Sequence, residues 1–124
     1  MSLTALVVDD SMLIRHTVCR FLEMRGFHVE SATNGSEALE MLKSVRADII
    51  VTDLQMPKMD GLALINALQD SPETAAIPVV VLARRESSAA QLGDRVRSII
   101  FKDIDIVSQL GRALECVLPK SAPA

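Results

Sequence analysis

The feature that most constrains the fold is a short, β-branched apolar run at residues 47–52 that ends in a carboxylate, Asp53. Such a run is typical of a buried strand, and it places Asp53 at the C-terminal tip of that strand. A second apolar run, residues 5–8, ends in the pair Asp9-Asp10. Open α/β sheets bind ligands at the edge formed by the carboxyl ends of their strands. If these two strands are neighbours, three carboxylates meet there, and oxygen-only ligands favour Mg²⁺ or Mn²⁺.

The rest of the chain alternates between short apolar runs and helical patterns. Strands are predicted at residues 4–8, 27–32, 47–52, 79–83 and 98–102. Helices are predicted at about 11–25, 36–45, 61–69 and 104–118, and the irregular segment 84–97 has room for a short helix at 87–92. The pattern places Ser11 or Asp10 as the cap of the first helix, and Ser36 as the cap of the second. In the last helix, five residues are predicted to face inward: Val107, Leu110, Leu114, Val117 and Leu118.

This order of elements predicts a single doubly wound (βα)₅ domain of the α/β class. Right-handed crossovers then give a five-stranded parallel sheet with helices on both faces. We expect the strand order 2-1-3-4-5, which puts strands one and three side by side at the switch point. The domain is predicted to cover residues 1–118, followed by a frayed tail or linker stub at residues 119–124.

Composition excludes several classes of protein. The chain has 124 residues, 49% of them hydrophobic, which is enough for a core. A net charge of −3 with no Trp or Tyr gives neither the basic footprint nor the stacking platforms of a nucleic-acid-binding protein. No apolar span is long enough to cross a membrane, and the first residues lack a signal-peptide core. Cys19 and Cys116 are interpreted as buried small hydrophobes, which fits a reducing cytoplasm.

Three stretches together are specific. The pair Asp9-Asp10, the run Asp-x-x-Met-Pro-x-Met-Asp-Gly at residues 53–61, and Lys102 resemble the CheY-like receiver domain of two-component response regulators over residues 3–118. The resemblance implies that Asp53 accepts a phosphoryl group from a phosphohistidine on a sensor histidine kinase or phosphotransfer protein.

The same resemblance implies roles for the other site residues. Asp10, Asp53 and the backbone carbonyl of Gln55 would ligate Mg²⁺ (or Mn²⁺), with Asp9 helping through water. Lys102 would add a positive charge beside the transferred group, in keeping with the charge neutralisation that phosphoryl transfer needs. The domain would catalyse only its own phosphorylation and dephosphorylation, and so would not be an enzyme in the ordinary sense.

The sequence departs from the family pattern at the end of the fourth strand. Family members carry Ser or Thr there, and its hydroxyl binds a phosphoryl oxygen, whereas this chain has Ala83, which has no donor. Arg84 and Arg85 follow directly, and arginine donates to phosphate in a planar, bidentate manner. We therefore name Ala83, Arg84 and Arg85 as candidates for contact with the phosphoryl group, with one arginine partly replacing the lost donor.

Two further departures lie near Lys102. The aromatic switch residue of the family, three residues before the lysine, is Ile99. The proline that follows the lysine, whose peptide bond is cis in the family, is Asp103. A non-proline cis bond costs roughly 2.5–4 kcal/mol, so the Lys102–Asp103 bond is predicted to be trans. These changes affect the output side of the domain, whereas the acceptor side is intact.

Alternatives remain open on the sequence alone. The first is a phosphorylation-independent, pseudo-receiver interaction module of the same fold. A phosphohydrolase is disfavoured because Gln55 occupies the place of its general acid, and a flavodoxin-like carrier lacks a phosphate cradle in the first loop. The kinase, the downstream partner, a missing output domain and homodimer formation are not determined by the sequence.

Overall fold

The computed structural model describes residues 3–54, 61–83, 98–101 and 105–117 of the chain. These residues form five strands and four helices. In chain order they are β1 (Thr4–Val8), α1 (Met12–Met24), β2 (His28–Ala32), α2 (Gly35–Leu42), β3 (Ile49–Asp53), α3 (Gly61–Asp70), β4 (Val79–Ala83), β5 (Ser98–Phe101) and α4 (Ile106–Val117). Within those ranges, no helix combines the length and apolar character needed to cross a bilayer.

The five strands form one parallel sheet in the order β2-β1-β3-β4-β5. The predicted fold class and the predicted strand order are therefore confirmed. β3 lies between β1 and β4, and its five residues are all buried. β4 is likewise buried along its whole length, as expected for a Val-Val-Val-Leu run covered on both faces.

Alternate residues of the strands pack on opposite faces of the sheet, which gives two hydrophobic cores. Leu6 and Val8 belong to the first core, where α2 and α3 contribute Ala38 and Leu64. The second core contains the strand residues that point to the other face of the sheet, together with side chains of α1 and α4. Its members include Ala5, Val7, Ile49, Val51, Val18, Leu22, Leu110 and Leu114. Both faces of the sheet thus pack against helices in the described part of the chain, and the ends of the strands are the expected place for a site.

The ends of two helices are set by local chemistry. Ser11 caps α1, because its hydroxyl accepts the backbone N–H of Ile14 at 3.3 Å. Gly26 follows the helix with a φ of 92°, a conformation that glycine adopts without a steric cost. For α2 the predicted cap, Ser36, is wrong. Asn34 takes that place: its backbone is extended, and its side chain accepts the N–H of Glu37 at 2.8 Å.

Other predicted boundaries differ by one to three residues from those observed. β2 begins at His28 rather than at residue 27, β3 begins at Ile49 rather than at 47, and α2 ends at Leu42 instead of reaching 45. The inward placement of Val107 is also wrong, since its side chain is 42% exposed, whereas Leu110 and Leu114 are buried. The predicted helix at 87–92 and the tail lie outside the described residues.

Asp105 caps the last helix, α4. Its Oδ1 accepts the backbone N–H of Ser108 at 3.2 Å, and its Oδ2 accepts the Ser108 hydroxyl at 2.8 Å. These bonds, the hydroxyl bond first, lower the pKa of the Asp105 carboxyl below its usual value of 3.8. The capped, ionised form is therefore favoured in the folded protein.

This depressed pKa predicts the sign of a pH effect on stability. A carboxyl with a lowered folded pKa stabilises the protein above its unfolded pKa and loses that contribution as the pH falls through the folded value. We expect Asp105→Ala to lower the melting temperature slightly at neutral pH, with the difference from the wild type shrinking below about pH 3.8. Thermal denaturation across this range measures it. Asp105→Asn, which keeps an acceptor without the charge, controls for the cap itself.

Candidate functional site

Three carboxylates converge at the C-terminal edge of the sheet. Asp9 and Asp10 follow β1, and Asp53 ends β3; one oxygen from each lies within 4.8 Å of the others. The pairing of β1 with β3 brings them together, since Val8 is aligned with Thr52 and the next residue of each strand is an acid. We call these three residues the acid cluster. The sequence had predicted this convergence from the strand order.

The three carboxylates of the acid cluster differ in their exposure to solvent. Asp9 is completely buried and Asp53 is 6% exposed, whereas Asp10 is exposed. Burial of like charges is costly unless a cation or protons neutralise them. A ligand that enters from solvent therefore meets Asp10 first and the two buried acids behind it.

Asp9 is held by contacts from two elements. Its backbone N–H donates to the carbonyl of Ala32 at the end of β2 (3.1 Å), and its Oδ1 accepts the N–H of Ser11 at 2.8 Å. The Nη1 of Arg15 donates to the Asp9 carbonyl at 2.7 Å. Sequence reasoning missed Arg15, which places a positive charge beside the acid cluster. Its position four residues after the cap Ser11 is the available signal, because side chains on a first helical turn point back toward the helix N-terminus.

The backbone of Asp53 is fixed on two sides. The hydroxyl of Thr52, itself completely buried, donates to the Asp53 carbonyl at 2.9 Å. Gly61 approaches the same carbonyl so closely that a Cβ built on it would lie 2.2 Å from the oxygen and 2.8 Å from the Cα of Leu54. The N–H of Gly61 also donates to the Leu54 carbonyl at 2.8 Å. Gly61, the first residue of α3, thus restricts the backbone at the end of β3. The sequence motif alone did not reveal this role.

Two of the departures from the family pattern lie in described strands. Ala83 ends β4, the neighbour of β3, and is 2% exposed, so the same edge of the sheet presents a methyl group where a hydroxyl was expected. Ile99 lies in β5 opposite Val81 and packs, half-buried, against the core shared with α2 and α3. The other named site residues lie outside the described residues; they are Gln55, Arg84, Arg85, Lys102 and Asp103.

The donor set suits a hard divalent cation. All three side chains of the acid cluster offer carboxylate oxygens and no nitrogen or sulfur, which favours Mg²⁺ or Mn²⁺ over zinc or copper. An ion of charge +2 also offsets the mutual repulsion of the carboxylates. Asp9, Asp10 and Asp53 therefore fit a metal site, with the exposed Asp10 on the side from which hydrated ions enter.

A doubly wound sheet with strand order 2-1-3-4-5 and an acidic C-terminal edge defines the class of this protein. The family model described as "Response regulator receiver domain" matches residues 5–112. The chain belongs to this family, and it is thus a receiver domain of two-component signalling.

Relatives with curated descriptions match this chain over part of their own length. Response regulator MprA of Mycobacterium ulcerans is 41% identical over 87 residues, which are 70% of this chain and 37% of that protein. The gliding motility regulatory protein of Myxococcus xanthus is 39% identical over 97 residues, 78% of this chain and 12% of that protein. The chain therefore spans 37% of the length of the first relative and 12% of the length of the second.

Solved structures show the same fold. The chemotaxis response regulator CheY4 of Vibrio cholerae superposes with a TM-score of 0.84 at 27% identity, covering 95% of this chain and 100% of that one. The signal receiver domain of a signal transduction histidine kinase from Syntrophus aciditrophicus gives a TM-score of 0.83 at 28% identity, covering 94% and 90%. The second likeness means that receivers of this fold also occur in histidine kinases.

Proposed function

We propose that this receiver accepts a phosphoryl group on Asp53 in a reaction that depends on Mg²⁺. The observation that supports this most directly is the convergence of Asp9, Asp10 and Asp53 at one edge of the sheet. The donor is a phosphohistidine of a sensor histidine kinase or of a phosphotransfer protein, and the site of the reaction is cytoplasmic. A phosphoacceptor needs all three carboxylates, whereas a phosphorylation-independent interaction module does not.

In the proposed transfer, a carboxylate oxygen of Asp53 attacks the phosphorus of the phosphohistidine in line with the leaving nitrogen. A P–O bond forms, giving an acyl phosphate, and the P–N bond breaks. The imidazole nitrogen keeps the bonding electron pair and takes up a proton. Because the backbone of Asp53 is fixed by Thr52 and Gly61, its carboxylate is oriented before the donor arrives.

Asp9, Asp10 and Asp53 would hold the metal ion, with the Gln55 carbonyl as a further ligand implied by the family. Bound Mg²⁺ supplies Lewis-acid neutralisation of charge on the phosphoryl oxygens. Arg15, hydrogen-bonded to the Asp9 carbonyl, orients the buried acid rather than the phosphoryl group. The family resemblance implies that Lys102 neutralises further charge on the transferred group.

The end of β4 supplies no donor in this scheme, because Ala83 carries only a methyl group. We keep the hypothesis that Arg84 or Arg85 partly replaces the missing hydroxyl; both lie outside the described residues. A phosphoryl oxygen that loses one hydrogen bond to a neutral donor loses about 1.5–3 kcal/mol. The half-buried Ile99 likewise stands where the family's aromatic switch lies, so the response to phosphorylation is predicted to differ from the usual coupling.

The output is proposed to be a downstream protein or a further domain, consistent with the greater length of the curated relatives. The domain is not proposed as an enzyme on external substrates; it promotes only its own phosphorylation and the later attack of water on the acyl phosphate. The acid cluster favours this reading over the phosphorylation-independent module.

The test is incubation of the purified protein with Mg²⁺ and acetyl phosphate, followed by intact-mass and peptide-mass analysis. We expect the added mass of one phosphoryl group, located on the peptide that contains Asp53, and its loss on raising the pH, since acyl phosphates are labile to base. Omitting Mg²⁺ controls for metal dependence. If no phosphoryl group is taken up from acetyl phosphate or from a cognate kinase, the phosphorylation-independent module replaces this proposal.

The acid cluster also predicts a metal effect that can be measured without any phosphoryl donor. Mg²⁺ at about ten times its dissociation constant should stabilise the folded state by about 1.4 kcal/mol through mass action, raising the melting temperature by roughly 4 °C or more. Asp10→Ala is expected to abolish this shift, because it removes the carboxylate on the open side of the cluster. A thermal shift assay with increasing MgCl₂ measures both.

Asp70→Ala is the matched control for this experiment. Asp70 is exposed at the end of α3 and does not belong to the acid cluster. This variant should respond to Mg²⁺ like the wild type. A wild-type response of Asp10→Ala would mean that the ion binds elsewhere.

A further inference from the structure

A cavity of about 400 Å³ lies at the amino-terminal edge of the sheet, at the opposite end from the acid cluster. One side is formed by the end of α2 and the segment that leads to β3, and the other by the segment between α3 and β4. Ala47 lies two residues before β3, and Ile77 lies two residues before β4. Small-molecule sites occupy roughly 300–1,000 Å³, so this cavity is large enough to be one. We call it the basal pocket.

The apolar part of the lining is aliphatic. It consists of Leu42, Val45, Ala47 and Ile77, of which Ala47 is buried and the other three are half-buried. Leu42 and Ile77 also pack against the hydrophobic core that α2 and α3 share with the sheet. The packing of the fold therefore holds this surface in place, and it is available to aliphatic groups of a ligand.

Two charged side chains of opposite sign also line the basal pocket. Arg46 belongs to the segment that leads to β3, and Glu73 belongs to the segment between α3 and β4; both are exposed. Within the described residues, no ion pair or side-chain hydrogen bond engages either of them, whereas the neighbouring Lys43 is paired with Glu40 at 3.1 Å. Arg46 and Glu73 are therefore available to a ligand, one from each side of the pocket.

The hydroxyl groups of the lining already have acceptors. The Oγ1 of Thr74 donates to the Leu68 carbonyl at 2.6 Å, and the Oγ of Ser44 donates to the Met41 carbonyl at 3.4 Å. The groups that select a polar ligand are thus the guanidinium and the carboxylate. An anionic group fits beside the first and a cationic group beside the second.

We propose that the basal pocket binds a short zwitterionic peptide with aliphatic side chains. Its carboxylate pairs with the planar guanidinium of Arg46, and its ammonium group pairs with Glu73. Its side chains cover the aliphatic lining formed by Leu42, Val45 and Ile77. This inference does not depend on the proposed function, because the acid cluster lies at the other end of the strands.

The test is titration of the isotope-labelled protein with leucyl-leucine, followed by NMR. We expect a dissociation constant of about 1 mM or lower, with shifts of the amide signals of Arg46, Ala47, Thr74 and Ile77. Related compounds each remove one feature of this probe. N-acetyl-leucyl-leucine lacks the ammonium group, leucyl-leucine amide lacks the carboxylate, and glycyl-glycine lacks the aliphatic side chains. Each should bind at least about threefold more weakly than leucyl-leucine.

Two variants assign the charged contacts. Arg46→Gln should weaken binding of leucyl-leucine about threefold or more and leave binding of leucyl-leucine amide unchanged. Glu73→Gln should weaken binding of leucyl-leucine to a similar extent and leave binding of N-acetyl-leucyl-leucine unchanged. Both side chains are exposed, so the fold should be retained. Arg20→Gln is the matched control, because Arg20 is an exposed arginine of α1, which packs on the other face of the sheet. It should bind like the wild type.

Amide signals around the pocket that stay unchanged up to about 10 mM leucyl-leucine would overturn the inference. Equal binding of all the compounds would also overturn it, as would tighter binding of N-acetyl-leucyl-leucine, which would indicate a pocket for anionic amphiphiles. Wild-type affinity for leucyl-leucine in either Arg46→Gln or Glu73→Gln would mean that the proposed charge pairing is wrong. These measurements need no phosphoryl donor, so failure of the proposed function leaves their outcome unaffected.

Discussion

Asp53→Asn is expected to abolish phosphoryl acceptance, because an amide cannot form the acyl phosphate that a carboxylate forms. The substitution is nearly isosteric, and Asp53 is 6% exposed at the end of a fully buried strand, so the fold should be retained. Removing one of three clustered carboxylates also relieves repulsion. In the absence of Mg²⁺, the variant should therefore melt at the same temperature as the wild type or higher. Intact-mass analysis after incubation with acetyl phosphate, together with thermal denaturation, measures both effects.

The matched control is Asp48→Asn, which changes an acid near the opposite end of β3. Asp48 is exposed, and its Oδ2 accepts the backbone N–H of Thr4 at 2.8 Å, a bond that an asparagine oxygen can keep. This variant should be phosphorylated at the wild-type rate. If Asp53→Asn still took up one phosphoryl group and the label were located on Asp10, the acceptor would have to be reassigned within the acid cluster.

Gly61→Ala is expected to disturb both the stability of the fold and the geometry of the acid cluster. The added methyl group would lie 2.2 Å from the Asp53 carbonyl oxygen and 2.8 Å from the Cα of Leu54. Both contacts are to backbone, so the tip of β3 must move rather than a flexible side chain. Overpacking of this kind costs about 1–3 kcal/mol. Because the moved residue is itself a metal-binding candidate, Mg²⁺ affinity should also fall roughly tenfold or more.

Gly111→Ala is the control for Gly61→Ala, since it too adds a methyl group to a buried helical glycine. There the nearest atom is the Nη2 of Arg25 at 3.2 Å, the mobile end of a long side chain that stacks over Phe21. Alanine is favoured over glycine within a helix by about 1 kcal/mol, which offsets a small shift of the arginine. Urea denaturation and Mg²⁺ titration of both variants compare the two sites. If Gly61→Ala matched the wild type in both stability and Mg²⁺ affinity, Gly61 would not fix the backbone of Asp53.

Much of the fold follows from patterns that are local in the sequence. The bounds of β1 and β4 were predicted without error, because each is a short apolar run between polar or turn-forming residues. The alternation of strands and helices together with the handedness of crossovers predicts the parallel sheet. The expected strand order 2-1-3-4-5 is the observed one, but those two rules alone also allow other orders. The resemblance to the receiver family rests on an equally local motif at residues 53–61, and the family match over residues 5–112 confirms it.

Local patterns predicted the structure less well where two nearby residues have similar chemistry. Asn34 and Ser36 are both good caps, and the choice depends on which of them has the extended backbone; Asn34 has it, with φ −158° and ψ 171°. Val107 has the spacing of a core residue, yet it lies in the first turn of α4 and is 42% exposed. Burial there depends on where the helix meets the sheet, which periodicity does not encode.

The sequence by itself determined that Asp9, Asp10 and Asp53 lie at one edge of a parallel sheet, because they follow apolar runs predicted as strands and the carboxyl ends of parallel strands share one edge. Only the tertiary structure decided how the site is held. The contact of Gly61 with the Asp53 carbonyl and the bond from Arg15 to the Asp9 carbonyl each depend on the separation between a helix and the end of a strand. Such separations are set by packing of whole helices on the sheet, and no spacing of residue types along the chain specifies them.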